Sequence, residues 1–448
     1  MLTIEQAQER AGDLVARAKR AGADAADAVF VAQASTSVEV RLGALESVER
    51  SEGQEIGLRV FAGRRNATVS GSDLSPAALD TLAERCVAMA RLAPEDPYAG
   101  LAEAGALAAG PFDPLAIDDG GEVPPEALRA AALAAEDAGR AVAGVTNSQG
   151  AGASAGRAVT ALATSTGFAG GYAGSSHGLS MTALAERDGA MERDYCYRSA
   201  RWREDLPAPE AIGAEAGRRA VARLGAVRLP SGPRPVVFDP RVAGSLLGHL
   251  VGAITGSAVA RKTTFLRDML GQQVFAKGVT VVDDPHRVRG LRSRRFDGEG
   301  LPTKRTELIR DGVLTTWLAE VASARQLGIA PTGHAARGVS GPPGAGPTNL
   351  YLAAGTVSRA ELMRDIADGF YVTELIGMGV NGLTGDYSRG ASGFRIVNGE
   401  LAEPVSEVTI AGNLRDMFRE LTPADDLELF RGVDSPTVRV DGMTLAGA

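Results

Sequence analysis

The sequence predicts an α+β protein: a two-part N-terminal α/β region followed by a C-terminal, mostly antiparallel β domain with a few helices. Helix-period and strand-period segments alternate through the first half. A stretch with three prolines and a glycine, Arg228 to Pro235, then divides the chain. Beyond it the apolar runs shorten, and pairs such as Asp311-Gly312 and Asn398-Gly399 mark hairpins between them. The expected division is residues 1–227, built from blocks of about 1–93 and 115–227, and residues 234–448.

Thr3 and Gln6 have capping-box spacing, and Ile4, Ala7, Ala11, Leu14, Val15 and Ala18 recur at helical intervals up to Gly22. Three strand-like runs follow, Asp27 to Ala34, Thr36 to Leu42 and Glu55 to Phe61, the second alternating Val38, Val40 and Leu42 with Glu39 and Arg41. A helix over Pro76 to Leu92 carries Leu79, Leu82, Ala83, Cys86 and Met89 on one stripe. Pro94 to Pro114, rich in Pro, Gly and Ala, reads as a connection. The helix-and-strand grammar then recurs: a helix over Pro124 to Val142, strands over Val145 to Thr166 and Gly170 to Arg187, and a helix over Pro209 to Leu224. In the second half, Val236 to Phe238 is a strand leading into a helix from Pro240 to about Val259. Strands are expected within Gly278 to Asp283, Glu307 to Leu318, Phe370 to Met378, Gly393 to Val397 and Val405 to Ala411.

Composition narrows the function classes. The net charge of −8 gives no support to nucleic-acid binding, and the arginine-rich stretch 287–295 reads as a solvated strand or a protein contact. Two distant cysteines, Cys86 and Cys196, exclude a disulfide framework and point to a reducing compartment. The first residues lack a basic-then-apolar signal pattern, and no run is long enough to cross a bilayer. The expected location is cytoplasmic.

Four pieces of text in the second half carry a resemblance. They are Val372 to Val380, Thr384 to Phe394, Val397 to Glu400 and Pro404 to Asn413, and they occur in that order. Asp24 to Val29 and Ser47 to Arg59 extend it through the first half. This succession is similar to the TldE/PmbA branch of the TldD/PmbA family, once called modulators of DNA gyrase and related to zinc peptidases. The resemblance implies a C-terminal metallopeptidase-like domain and assembly with a TldD-type subunit. That partner carries zinc on a His-Glu-x-x-x-His helix with a distant C-terminal cysteine, and the pair trims unfolded or leader peptides. The TldE-type member is implied to be the non-catalytic half, binding no cofactor itself, with a homodimer possible when the partner is absent.

A catalytic zinc needs three protein ligands, an open position for water, and a carboxylate base. The corresponding helix reads Val242 to His249. Gly244 stands where the resemblance implies the first His, Ser245 where it implies the Glu, and His249 alone remains. No cysteine follows Cys196, and Phe430 to Pro436 occupies the place implied for the third ligand. His177, His286 and His334 are isolated in the sequence. His249 is read either as a vestigial ligand touching peptide or partner or, in the preferred reading, as a histidine packed beside Leu246, Leu250 and Val251.

Asp386, Tyr387, Ser388 and Arg389 lie between Gly385 and Gly390 in an expected turn. They are candidates for peptide binding, or equally for a hairpin in which Arg389 pairs with Asp386. Ser175, Ser176 and His177 suggest a nucleophile and base, but no acid is placed beside them by sequence, and a structural role is expected. Gly341 to Pro347 lacks the Lys-Ser/Thr ending of a phosphate loop and reads as a flexible surface loop. The expected function is a non-catalytic peptidase subunit. The alternatives are a self-sufficient peptidase with an unrecognised site, or a regulator associated with gyrase or DNA.

Overall fold

The computed structural model describes residues 2–447; Met1 and Ala448, the outer ends of the two expected regions, lie outside the described residues. Helix α1 (Ile4–Arg20) opens with the expected capping box. Thr3 Oγ1 accepts from the Gln6 backbone N–H, and the Gln6 side chain accepts from the Thr3 N–H. Strands β1 (Ala25–Arg41), β2 (Ala44–Ala62) and β3 (Arg65–Gly71) follow, then helices α2 (Pro76–Leu92) and α3 (Pro125–Arg140). Strands β4 (Val145–Thr164), β5 (Ala169–Arg187) and β6 (Ala190–Ala200) and helix α4 (Pro209–Ala222) complete this half.

These strands form one antiparallel sheet in the order β3-β2-β1-β4-β5-β6. The two sequence blocks share it through the β1–β4 ladder, which runs from Asp27↔Thr164 to Val40↔Ala151. The strands are long because different helices cover their two ends. At one end α1 and α2 pack Leu14, Cys86 and Ala90 against Phe30, Ile56, Leu58 and Val159. At the other, α3 and α4 pack Leu128, Ile212 and Ala216 against Val38, Val40, Leu179 and Met181. Each fully buried Leu, Ile or Phe contributes about 1.5–3 kcal/mol through removal from water.

This explains three departures from the sequence reading. Residues 27–34 and 36–41 are one strand, since nothing turns the chain at Ser35, while Leu42, expected on its buried face, lies exposed in the following turn with positive φ. Strand β6 lies outside the expected strands; the Asp188-Gly189 pair, with positive φ at both residues, turns β5 into it as a hairpin. Met89 lies off the buried stripe of α2 and is exposed, with Val87 and Ala90 buried instead.

The second half contains β7 (Gly232–Phe238), α5 (Pro240–Ile254), α6 (Gly256–Ala260), β8 (Val281–Asp283), β9 (Thr306–Arg310), β10 (Val313–Leu314), α7 (Val321–Leu327), β11 (Ala335–Ala336), β12 (Gly344–Ala345) and β13 (Leu350–Leu352). It continues with α8 (Arg359–Met363), β14 (Asp368–Ile376), β15 (Asp386–Val397), β16 (Glu400–Asn413), α9 (Leu414–Arg419), β17 (Leu421–Pro423), β18 (Val433–Asp434) and β19 (Val438–Ala446). One sheet runs β16-β15-β14-β7-β19-β17, and an added β16–β19 pairing closes five of its strands on themselves. A second sheet runs β10-β9-β8-β13-β18. Most pairings are antiparallel; β7–β14 and β13–β18 are parallel. Asp311-Gly312 and Asn398-Gly399 take positive φ at both residues, as their hairpins require. The expected helix to Val259 is interrupted at Thr255, whose backbone is extended, and Gly256 N–H bonds the Leu318 carbonyl there. Gly341 to Pro347 is not free loop throughout, because β12 pairs with β11.

Helix α5 lies in the main C-terminal core, with Leu246, Leu247 and Leu250 buried against Phe238, Phe370 and Leu350. The halves meet over a buried ionic cluster. Asp27 pairs with Arg59 (2.5 Å) and with Arg337, and Arg59 also reaches Glu299 (3.3 Å). The arginine-rich stretch 287–295 is irregular rather than a strand, and Arg289 pairs with Glu204 and Asp205, both at 2.8 Å.

Candidate functional site

Helix α5 is anchored at its start. Asp239 caps it by accepting from the Arg241 N–H (2.9 Å), and the Tyr371 hydroxyl donates to the same carboxylate (3.0 Å). With one face buried in the core, the other presents Gly244, Ser245 and His249 toward β14 and β15.

His249 stands edge-on to Tyr387, with ring centroids 5.9 Å apart and planes at 80°. Burial, reinforced by the nearby Arg389 charge, holds its imidazole below the ordinary range, so the neutral ring is favoured. Burial likewise raises the Tyr387 phenol far above its usual value. Ser245 spends its hydroxyl within the helix, donating to the Val242 carbonyl (2.7 Å). A Cβ on Gly244 would stand 3.2 Å from the Val433 carbonyl oxygen, so this helix face lies directly on the segment after Phe430.

The quartet Asp386 to Arg389 begins strand β15 rather than forming a turn. Strand alternation therefore separates its members. Tyr387 and Arg389 face α5. Asp386 is exposed and accepts from Thr384 Oγ1 (2.6 Å) and Asn413 Nδ2 (3.0 Å). These two bonds hold its carboxyl below the usual range. The alternative Asp386–Arg389 pair does not form; Arg389 Nε instead donates to the Ile376 carbonyl (3.4 Å). Asp386, Tyr387 and Ser388 border an open depression beside Met378 to Gly382.

Gly244, Ser245 and Arg389 together line a cavity of about 380 Å³. Thr373, Glu374 and Leu375 of β14 form one wall, and Asp194 and Arg223 come from the N-terminal half. Arg223 contacts Glu374 (2.7 Å), Glu192 (3.3 Å) and Asp194 (3.7 Å), while Arg241 reaches Asp194 (2.7 Å). Arg193, Arg223, Arg241 and Arg431 were not found from the sequence. They sit on separate elements, and no spacing rule connects them.

The donor set does not fit zinc. His249 faces the Tyr387 ring. Among the described residues no three His, Cys, Asp or Glu side chains converge to hold a metal ion. Both cysteines are buried, and burial pushes the Cys86 thiol up to about 11. Elsewhere, His286 bonds Thr303 (3.0 Å) and His334 lies 3.4 Å from Asp283.

The structure does supply an acid to His177, which the sequence could not place: Asp119 Oδ2 lies 2.6 Å from Nε2. Ser175, on the same strand face, is nevertheless not activated. Its hydroxyl donates to the Arg201 carbonyl (2.5 Å) and accepts from the Asp119 N–H (2.9 Å). Ser176 is exposed on the opposite face.

Comparison with known proteins agrees with this architecture along the whole chain. Residues 26–90, 118–224 and 231–447 match, in turn, domain 1, the central domain and the C-terminal domain of the PmbA/TldA metallopeptidases. The chain is 40% identical over 428 residues to the metalloprotease PmbA of Escherichia coli O157:H7, covering 95% of this chain and 92% of that one. It is 34% identical to a Haemophilus influenzae PmbA homologue, covering 96% and 94%. A crystal structure from Bacteroides thetaiotaomicron, named as a candidate modulator of DNA gyrase, superposes with a TM-score of 0.91 at 26% identity over the full length of both chains. TldE from Thermococcus kodakarensis shares the fold, with a TM-score of 0.87 at 19% identity over 98% of this chain and 100% of that one. The chain belongs to the TldD/PmbA family of metallopeptidase-related proteins, in its TldE/PmbA branch.

Proposed function

We propose that this chain is the non-catalytic subunit of a peptidase whose zinc is held by a TldD-type partner, and that it helps enclose and hold unfolded or leader peptides. The observation that carries this reading is the α5 face. Gly244 and Ser245 offer no ligand or base, and the remaining His249 is turned against Tyr387. Zinc, when bound, would supply a polarised water or carbonyl in the partner; nothing on this helix face would hold it.

Strand β14 supports the peptide-holding part. Its residues 370–372 pair with β7, whereas Glu374, Leu375 and Ile376 pair only with β15 among the described residues. This half-free edge runs along the cavity wall, where an extended backbone could add as a strand with little sequence preference.

The test is peptidase activity on an unfolded peptide, with metal analysis, for this chain alone and mixed with a TldD-type partner. The expected result is cleavage only in the mixture, with zinc only in the partner. Zinc-dependent cleavage by this chain alone would overturn the reading.

A further inference from the structure

The cavity on α5 is unusually rich in guanidinium groups. Its lining contains Arg193, Arg223, Arg241, Arg389 and Arg431 against two carboxylates, Asp194 and Glu374, while Glu192 (3.3 Å from Arg223) and Asp239 (3.6 Å from Arg241) pair with the same two arginines from just outside the lining. The two carboxylates are already engaged, by Arg223 at 2.7 Å from Glu374 and Arg241 at 2.7 Å from Asp194. The other three arginines have no ion-pair partner among the described residues. Arg193 makes no side-chain bond there. Arg389 reaches only a backbone carbonyl, and Arg431 donates to the Tyr197 hydroxyl (3.2 Å) and stacks on Phe430 with 4.0 Å to the ring centroid. The N-terminal turn of α5, through Pro240, Arg241 and Val242, also borders the cavity and adds its positive dipole end.

Guanidinium groups that converge on a small concave space without their own carboxylates are suited to an anion that two or more can grip in forked geometry. The wall beside them decides what carries that anion. Glu374 to Ile376 is the free strand edge, so a chain paired there would run along the same space.

We propose that this cavity binds a carboxylate carried by an extended peptide lying along the β14 edge, either its C-terminal carboxylate or an acidic side chain. The inference rests on the peptide-holding reading above. It gives that reading a chemical preference: the arginine pocket replaces zinc at this face, so the subunit grips the substrate's negative end while leaving its bonds intact. Arg389 is central, because it lies between the cavity and the His249–Tyr387 pair.

The experiment is fluorescence anisotropy with an N-terminally labelled, unstructured peptide containing no Asp or Glu, on the full-length chain alone and with its TldD-type partner. Three forms are compared: the free acid, the C-terminal amide, and the amide with one Glu near its end. The free acid is expected to bind about ten- to a hundredfold tighter than the plain amide, the range of one or two charge-assisted hydrogen bonds. Tight binding of the Glu-containing amide would assign the site to acidic side chains as well. The variant Arg193→Gln/Arg389→Gln/Arg431→Gln should lose the acid-over-amide preference while still binding the amide. Equal binding of acid and amide by the unaltered chain would overturn the carboxylate site and leave peptide holding intact. Failure of every form to bind would overturn peptide holding, and this inference with it. Displacement of the free acid by inorganic phosphate at the peptide's own Kd would reduce the site to a simple anion pocket and also overturn the proposal.

Discussion

The imidazole of His249 meets the phenol of Tyr387 edge-on, 5.9 Å between ring centroids, and neither the His249 Nε2 nor the Tyr387 hydroxyl has a hydrogen-bond partner among the described residues. An imidazole in this setting is a packed aromatic with an unused polar atom. The folded ring accepts a proton only below the ordinary imidazole range, because burial and then Arg389 oppose its charge. The unfolded ring accepts one near pH 6.5, so acid favours the unfolded chain. Stability from this ring is full above the ordinary range and falls as pH drops through it. His249→Phe should therefore lose less of its urea midpoint than the unaltered protein between about pH 7.5 and about pH 5.5. At the higher pH it should match or exceed the unaltered midpoint, because an unpartnered buried nitrogen is removed. An equal acid sensitivity in both proteins would show that His249 is not the titrating group.

The contact between Gly244 and Val433 gives a second prediction. Gly244→His with Ser245→Glu creates a His-Glu-x-x-x-His pattern with His249 but provides only two zinc ligands. Adding Val433→Cys brings a thiolate to this helix face, because the Val433 side chain would lie 3.8 Å from a Cβ at Gly244. The larger side chain at 244 should cost about 1–3 kcal/mol through crowding. The triple variant should bind zinc at least about tenfold tighter than the double, since three protein ligands are the usual minimum for an open site. Competition against a zinc-sensitive dye measures this. A double variant that binds as tightly as the triple would show that the Val433 segment does not face the helix motif as described.

The buried cluster at the junction of the halves should dominate stability. Burial alone would push Asp27 up, but the charges of Arg59 and Arg337 outweigh it and keep the carboxylate ionised. Removing one cation by Arg337→Met should cost about 3–5 kcal/mol, the usual penalty for breaking a buried pair from one side. Glu299 behaves oppositely. Burial pushes its carboxyl up to about 7, although Arg59 and the Val321 N–H pull it down. Its contribution is thus present below the ordinary carboxylate range and is lost as pH rises through about 7. Glu299→Gln should flatten that part of the stability profile, read as the urea midpoint at successive pH values. A profile unchanged by the substitution would rule out Glu299 as its source.

The fold was legible where local chemistry decides it. The Thr3 capping box, the α1 stripe and the Asp311-Gly312 and Asn398-Gly399 turns are set by residues within a few positions of one another. The length of β1 was not legible, because two helix pairs far apart in sequence cover its ends. The grouping of Gly244, Ser245 and His249 could be read directly, since they share one helix. The arginine cavity could not: Arg193, Arg223, Arg389 and Arg431 converge only when both halves are folded together. The Asp386 to Arg389 text misled for a related reason, because strand alternation splits between two environments what sequence adjacency groups.

The last prediction concerns Ser175, whose surroundings imitate a catalytic group. A nucleophilic serine must give its proton to a base. Here the His177 Nε2 is committed to Asp119 at 2.6 Å, and the Ser175 proton points to the Arg201 carbonyl at 2.5 Å. The hydroxyl also receives the Asp119 N–H at 2.9 Å, so Ser175 ties the segment before α3 to the end of β6. Ser175→Ala leaves one buried donor and one acceptor unmatched and should lower stability by about 1–3 kcal/mol. Peptide cleavage by the mixed subunits should be unchanged at a temperature where both proteins are folded. A loss of cleavage beyond about tenfold, with an unaltered melting temperature, would mean that Ser175 acts in chemistry rather than in holding these two segments together.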